Sequence, residues 1–80
     1  MIVPTKGVHP KQALLTVGGE VVDALNEPMT VSRLWAEIRE RRQAAGDIEI
    51  GFDWFVLSLD LVRAMGAIQL GADGFLVRSD

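Results

Sequence analysis

The chain has no cysteine, no tyrosine and a single histidine, His9. Those absences remove disulfide frameworks, thiolate nucleophiles and cysteine-based zinc sites. They also fit a reducing compartment. No apolar run reaches the ~18 residues that a membrane span needs. Met1 to Lys11 lacks the basic-then-apolar order of a signal peptide, so the expected location is the cytoplasm. Cations are in short supply: eight Lys and Arg against eleven Asp and Glu give a net charge of −3 and a pI near 5.0. That balance is the reverse of the electrostatic footprint of nucleic-acid binding. What is present is globular in type, with 49% apolar and 24% charged residues in a length of 80. Such a chain is ordered, forms one small domain, and buries only about 60–65% of its unfolded surface.

Pro4 and Pro10 bracket Thr5-Lys6-Gly7. Proline fixes φ and biases the preceding residue away from helix, so residues 1–10 read as an extended arm and residues 11–80 as the domain. Met1-Ile2-Val3 suits an edge strand or a partner's surface. A first helix is predicted from Lys11 to Leu25, because Leu14, Leu15, Val17, Val21, Val22 and Leu25 follow the rhythm of an amphipathic helix. Gly18-Gly19 weakens it by roughly 1 kcal/mol per glycine, which close packing against another helix would explain. Asn26-Glu27-Pro28 ends this helix. Pro28-Met29-Thr30 is long enough only for a turn or a one-bridge strand. Thr30 or Ser32 then caps a second helix, Val31 to Gln43, with Val31, Leu34, Trp35 and Ile38 on one face and Gly46 as its stop. A third helix runs from Phe52 or Asp53 to Met65 and closes at Gly66. Ala67 to Leu70 and Phe75 to Arg78 flank Asp73-Gly74, a strong hairpin signal. Three helices followed by a hairpin give an α+β, mainly α architecture: the winged helix-turn-helix, its C-terminal hairpin forming the wing.

Most catalytic constellations fail by inventory. His9 lies between Val8 and Pro10 with no second ligand at helical spacing, and reads as an exposed turn residue. Ser32, Ser58 and Ser79 occupy no strained strand-to-helix turn of the kind a nucleophilic serine needs. Gly18-Gly19 is inside a helix and Gly71 and Gly74 are in the hairpin, so no phosphate-binding loop forms. Asp53 and Asp60 lie seven residues apart, about 10 Å along a helix. Asp53 suits a helix N-terminus and Asp60 a solvated or interface position. No catalytic residue, cofactor or metal ligand is expected.

DNA binding is the obvious use of a winged helix, and charge argues against it. The third helix is the reader in this motif and needs Arg, Lys, Asn or Gln facing the groove. Here it carries Asp53, Asp60 and a lone Arg63. The basic cluster is elsewhere, on the second helix: Arg39, Arg41 and Arg42, with Arg33 earlier. It reads either as a solvated face favoured by the helix C-terminus or as a contact for an acidic partner or a DNA backbone. The third helix is apolar nearly all round. Phe55, Val56, Leu59 and Val62 form one stripe, and Trp54, Leu57, Leu61 and Met65 another. Eighty residues supply too little protein to cover both. The second stripe is therefore expected to meet another chain, with Trp54 as aromatic anchor, unless the arm folds back over it. Two stripes also admit a homodimer.

Pro4-Thr5-Lys6, Ala13-Leu14-Leu15 with Gly18, Thr30-Val31-Ser32-Arg33-Leu34-Trp35, and Phe52-Asp53-Trp54-Phe55-Val56-Leu57 through Leu59-Asp60-Leu61 to Gly66-Ala67-Ile68 together resemble one family. It is the small middle components of ABC-three-component systems, and group six among them. The resemblance runs from arm to hairpin, on motifs that are mostly apolar and structural. It implies a non-catalytic winged-helix adaptor between a large SMC-like or Rad50-like ABC ATPase and a third, effector component. The setting it implies is a bacterial anti-phage or anti-plasmid conflict system. Partner contact would then involve Trp54, Leu57, Leu61 and Met65, with the arm residues Met1, Ile2, Val3 and Lys6 as a second surface. Arg33, Arg39, Arg41 and Arg42 would face acidic protein or DNA held by the ATPase. The alternative is a small DNA-binding winged-helix transcriptional regulator, dependent on the arginine cluster. A toxin–antitoxin partner fits the size but would need a disordered neutralising tail.

Overall fold

The computed structural model describes residues 10–79. The first helix, α1, spans Pro10–Ala24. Its buried line is Ala13, Val17, Val21 and Ala24, continued by Leu25 beyond its end, the spacing expected of one helical face. Met29 then makes a single antiparallel bridge to Leu76.

Thr30 caps α2, Val31–Ala45: in extended backbone, its hydroxyl accepts the Arg33 N–H. At the other end Gly46 adopts φ 73°, and its N–H returns to carbonyls of the last turn. A left-handed residue at this position favours glycine and stops the helix. The second helix runs two residues past the expected Gln43, because Ala44 and Ala45 offer no reason to stop before Gly46. Residues 47–51 form the connection, and α3 follows from Phe52 to Ala64. Gly66, at φ 82°, turns the chain out of it.

The hairpin pairs β1, Ile68–Leu70, with β2, Leu76–Arg78, antiparallel and in the register Ile68↔Arg78, Gln69↔Val77, Leu70↔Leu76. Gly74 takes φ 86° at its tip, and the Asp73 carboxylate accepts the Phe75 N–H. The Met29 bridge adds a third, one-residue strand beside β2. The result is the winged-helix-like α+β arrangement expected from the element order.

One core joins these parts: Val17, Val21 and Leu25 from α1, Leu34 and Ile38 from α2, Phe55, Leu59 and Val62 from α3, and Ile68 and Leu76 from the hairpin. Glycine at position 18 is what lets α1 and α3 approach. A Cβ there would stand 2.8 Å from Val62 Cγ1 and 3.8 Å from the Ser58 carbonyl. Gly19 has open space around it, so close packing accounts for one glycine of the pair and not the other.

Candidate partner-binding surfaces

On α3 the two stripes of the sequence are redrawn. The buried residues are Trp54, Phe55, Ser58, Leu59 and Val62. Trp54, expected as an exposed anchor, is only 3% exposed and belongs to the core. The cause is Ser58. Its hydroxyl donates to the Trp54 carbonyl at 2.8 Å, which satisfies it locally and allows a small side chain to be buried opposite Gly18. The buried face is thereby centred on Ser58, bringing Trp54 inside and leaving Val56 half-buried. The indole N–H of Trp54 has no hydrogen-bond partner among the described residues.

The rest of the second stripe stays at the surface. Leu57 is 43% exposed and Met65 64%, with Leu61 half-buried between them. At i, i+4 and i+8 these three align along one side of α3. Leu15, 51% exposed, and half-buried Val22 stand three residues before and four after Gly18 on α1. Since Gly18 faces α3, they continue the apolar surface across the α1–α3 junction. Met1, Ile2, Val3 and Lys6, the proposed second contact, lie outside the described residues.

The outward positions of α3 are Asp53, Leu57, Asp60, Arg63 and Ala64, all exposed. Arg63 approaches Asp60 only to 3.9 Å, beyond hydrogen-bond reach. The face that would read DNA bases therefore carries two acids against a single cation, with apolar residues between them. In the wing, Arg78 is turned inward enough for its Nε to donate to the Leu25 carbonyl at 3.3 Å.

The arginine cluster divides into structural and surface members. Arg42 is buried, pairs with Glu20 of α1 at 2.6 Å, and donates from Nε to the Ile48 carbonyl at 2.8 Å. It clamps α1, α2 and the connection to α3, which corrects its assignment to a solvated contact face. Arg41 bridges Glu37 at 2.8 Å and Asp23 at 3.1 Å. Its hydrogen bond to Glu37, with help from Asp23, raises its pKa further above the ordinary arginine value despite the opposing effect of burial. Arg39 stacks over the Trp35 ring, 5.7 Å from the centroid. Arg33 is exposed and makes no ion pair among the described residues. Only Arg33 and Arg39 are left for an external anion, and they point to different sides of α2. Six residues apart, they are separated by about 120° around the helix axis.

Sequence reasoning missed an aromatic patch where α2 meets α3. Phe52, 51% exposed, lies 5.5 Å from half-buried Trp35 in an edge-on arrangement, and Phe55 lies 5.0 Å from Trp35 beneath. The signal was Phe52 three residues before Phe55, read only as a helix start.

Among the described residues no group of three or more His, Asp or Glu side chains could hold a metal ion. No helix there is long and apolar enough to cross a membrane. Comparisons with curated proteins and with solved structures return no match. A family model does match, that of ABC-three component (ABC-3C) system Middle Component 6, over residues 3–79. The match takes in all three helices and the hairpin, including the exposed apolar line on α3 and the acidic positions beside it. On that extent the chain belongs to the middle component 6 family of ABC-three component systems.

Proposed function

We propose that this middle component is a non-catalytic adaptor, joining an SMC-like or Rad50-like ABC ATPase to the effector of a bacterial anti-phage or anti-plasmid system. The observation that carries the reading is the outer side of α3. Where a DNA reader presents cations, this helix presents Asp53 and Asp60 against the single cation Arg63, and beside them the apolar line of exposed Leu57 and Met65 with half-buried Leu61. Exposed apolar side chains in line on one helix suit a protein partner. Acidic neighbours disfavour phosphate. The arm residues Met1, Ile2, Val3 and Lys6 make a second contact in this scheme, and Arg33 and Arg39 face acidic protein.

The test is co-expression of the chain with the other components of its system, followed by purification at moderate salt. Leu57→Glu combined with Met65→Glu should leave the fold intact and lower the yield of complex by at least tenfold. A complex recovered at unchanged yield from the double variant would refute this surface. The regulator alternative requires salt-sensitive DNA binding that is lost on removing Arg33 and Arg39.

A further inference from the structure

One donor in the core lacks an acceptor. The indole N–H of Trp54 is buried with no hydrogen-bond partner among the described residues, an arrangement that costs about 1–3 kcal/mol. The core side chains around it are apolar, and carbonyls inside helices are spent on their own helices. An acceptor therefore has to come from outside residues 10–79. Trp54 stands seven residues before Leu61, two turns earlier on the same side of α3. One turn further on is Ser58, opposite Gly18 of α1.

Gly19 belongs to the same face. It lies four residues after Leu15 and three before Val22, in one row of α1, and a Cβ there would meet nothing within 4 Å. A glycine inside a helix costs about 1 kcal/mol relative to alanine, and packing against α3 offsets that cost only at Gly18. Between exposed Leu15 and half-buried Val22 the row is bare backbone, a notch that another main chain can approach closely. Beside it on α3 run Leu57, Leu61 and Met65. The strip thus has five apolar side chains and one notch, whereas a stable contact between globular partners engages about 20–30 residues a side. Its dimensions suit one extended segment.

We propose that in the unbound protein this segment is the chain's own residues 1–9, laid across the α1–α3 face with Ile2 and Val3 against the strip and a main-chain carbonyl accepting the Trp54 N–H. Reach permits it. The segment joins α1 at Pro10, about 8 Å along the axis from Leu15. Nine extended residues span about 30 Å, against about 12 Å from Leu57 to Met65. Composition suits it too: Pro4 and Pro10 bias Val3 and His9 toward extended backbone, and Ile2 and Val3 are apolar. A short tether raises the effective concentration of the segment to the millimolar range, ahead of any second copy at ordinary concentrations. The proposal rests on the adaptor reading and adds its regulation. A partner that uses Leu57, Leu61 and Met65 first displaces the arm, which is then released to make the second contact.

The chain has no cysteine, so Thr5→Cys carries a single nitroxide label on the full-length protein. In NMR spectra the label should broaden the amides of Gly19, Leu57 and Leu61 at least fivefold more than those of Arg33 and Arg39 on the exposed side of α2. A tenfold excess of unlabelled chain should leave that effect unchanged. Ile2→Asp combined with Val3→Asp should abolish it and speed hydrogen exchange of the Trp54 indole N–H at least tenfold. Gly19→Gln, which fills the notch without touching the core, should weaken the broadening at least threefold. Broadening confined to another face, or indole exchange unmoved by the Asp substitutions, would overturn the proposal. So would broadening that disappears on mixing with unlabelled chain, since the occupant would then be a second copy. Assembly with the other components separates this proposal from the adaptor reading. An arm found elsewhere, with the complex still lost on Leu57→Glu and Met65→Glu, would leave the adaptor standing without its cover. An arm found on the face, with the complex intact in that double variant, would refute the regulation and this adaptor surface together.

Discussion

Replacing Arg42 with methionine tests the division of the arginine cluster. Methionine keeps the stem's volume, so the cavity term is small, and what is lost is the guanidinium's two contacts: 2.6 Å to Glu20 and 2.8 Å to the Ile48 carbonyl. Hydrogen bonds to charged groups contribute about 1.5–3 kcal/mol each. The Glu20 side chain is 29% exposed and regains water, so the pair together is worth about 2–3 kcal/mol rather than the full sum. For a domain of this size that lowers the melting temperature by about 10–20 °C. The assay is urea denaturation followed by tryptophan fluorescence and circular dichroism, with Glu20→Gln as a milder break of the same pair. Arg39→Ala, at the surface, should change stability by less than about 0.5 kcal/mol. If Arg42→Met unfolds within about 0.5 kcal/mol of the parent, Arg42 is not a clamp and returns to the exposed cluster.

The two adjacent glycines should respond in opposite directions. Gly18→Ala forces a methyl into Val62 and is expected to cost about 1–2 kcal/mol after its gain in helix propensity. Gly19→Ala meets nothing and should stabilise by about 0.5–1 kcal/mol; both are read from thermal melts, and changes of the same sign would contradict the α1–α3 packing. Trp54→Ala should cost about 3–5 kcal/mol of folding stability. A soluble variant with an unchanged melting temperature would restore Trp54 to the surface.

Element order, caps and turns were legible because each rests on local chemistry. Thr30 caps α2 whatever the rest of the chain does, Gly46 stops it, and Asp73-Gly74 turns the hairpin. At Met29 the sequence left a turn and a one-bridge strand open, and the pairing with Leu76 decides for the bridge. The buried face of α3 was not legible. Periodicity assigns faces by counting apolar residues, and Ser58 breaks the count. Only the approach of Gly18 from another helix shows that a serine holding its own backbone belongs inside and draws Trp54 with it. Arg42 escaped for a related reason: burying a guanidinium requires Glu20, 22 positions away, and the Ile48 carbonyl, and no local pattern announces that meeting. The outer residues Leu57, Leu61 and Met65 survived as a surface line because their i, i+4 spacing keeps them aligned wherever the core is centred.

The central claim is that this chain works by holding other proteins, and native mass spectrometry of the co-expressed system addresses it most directly. The account predicts one or more copies of the chain in fixed ratio with the ATPase at moderate salt, and dissociation of that assembly when Leu57 and Met65 are replaced by glutamate. A free monomer or homodimer carrying DNA fragments, with no other component bound, would contradict it.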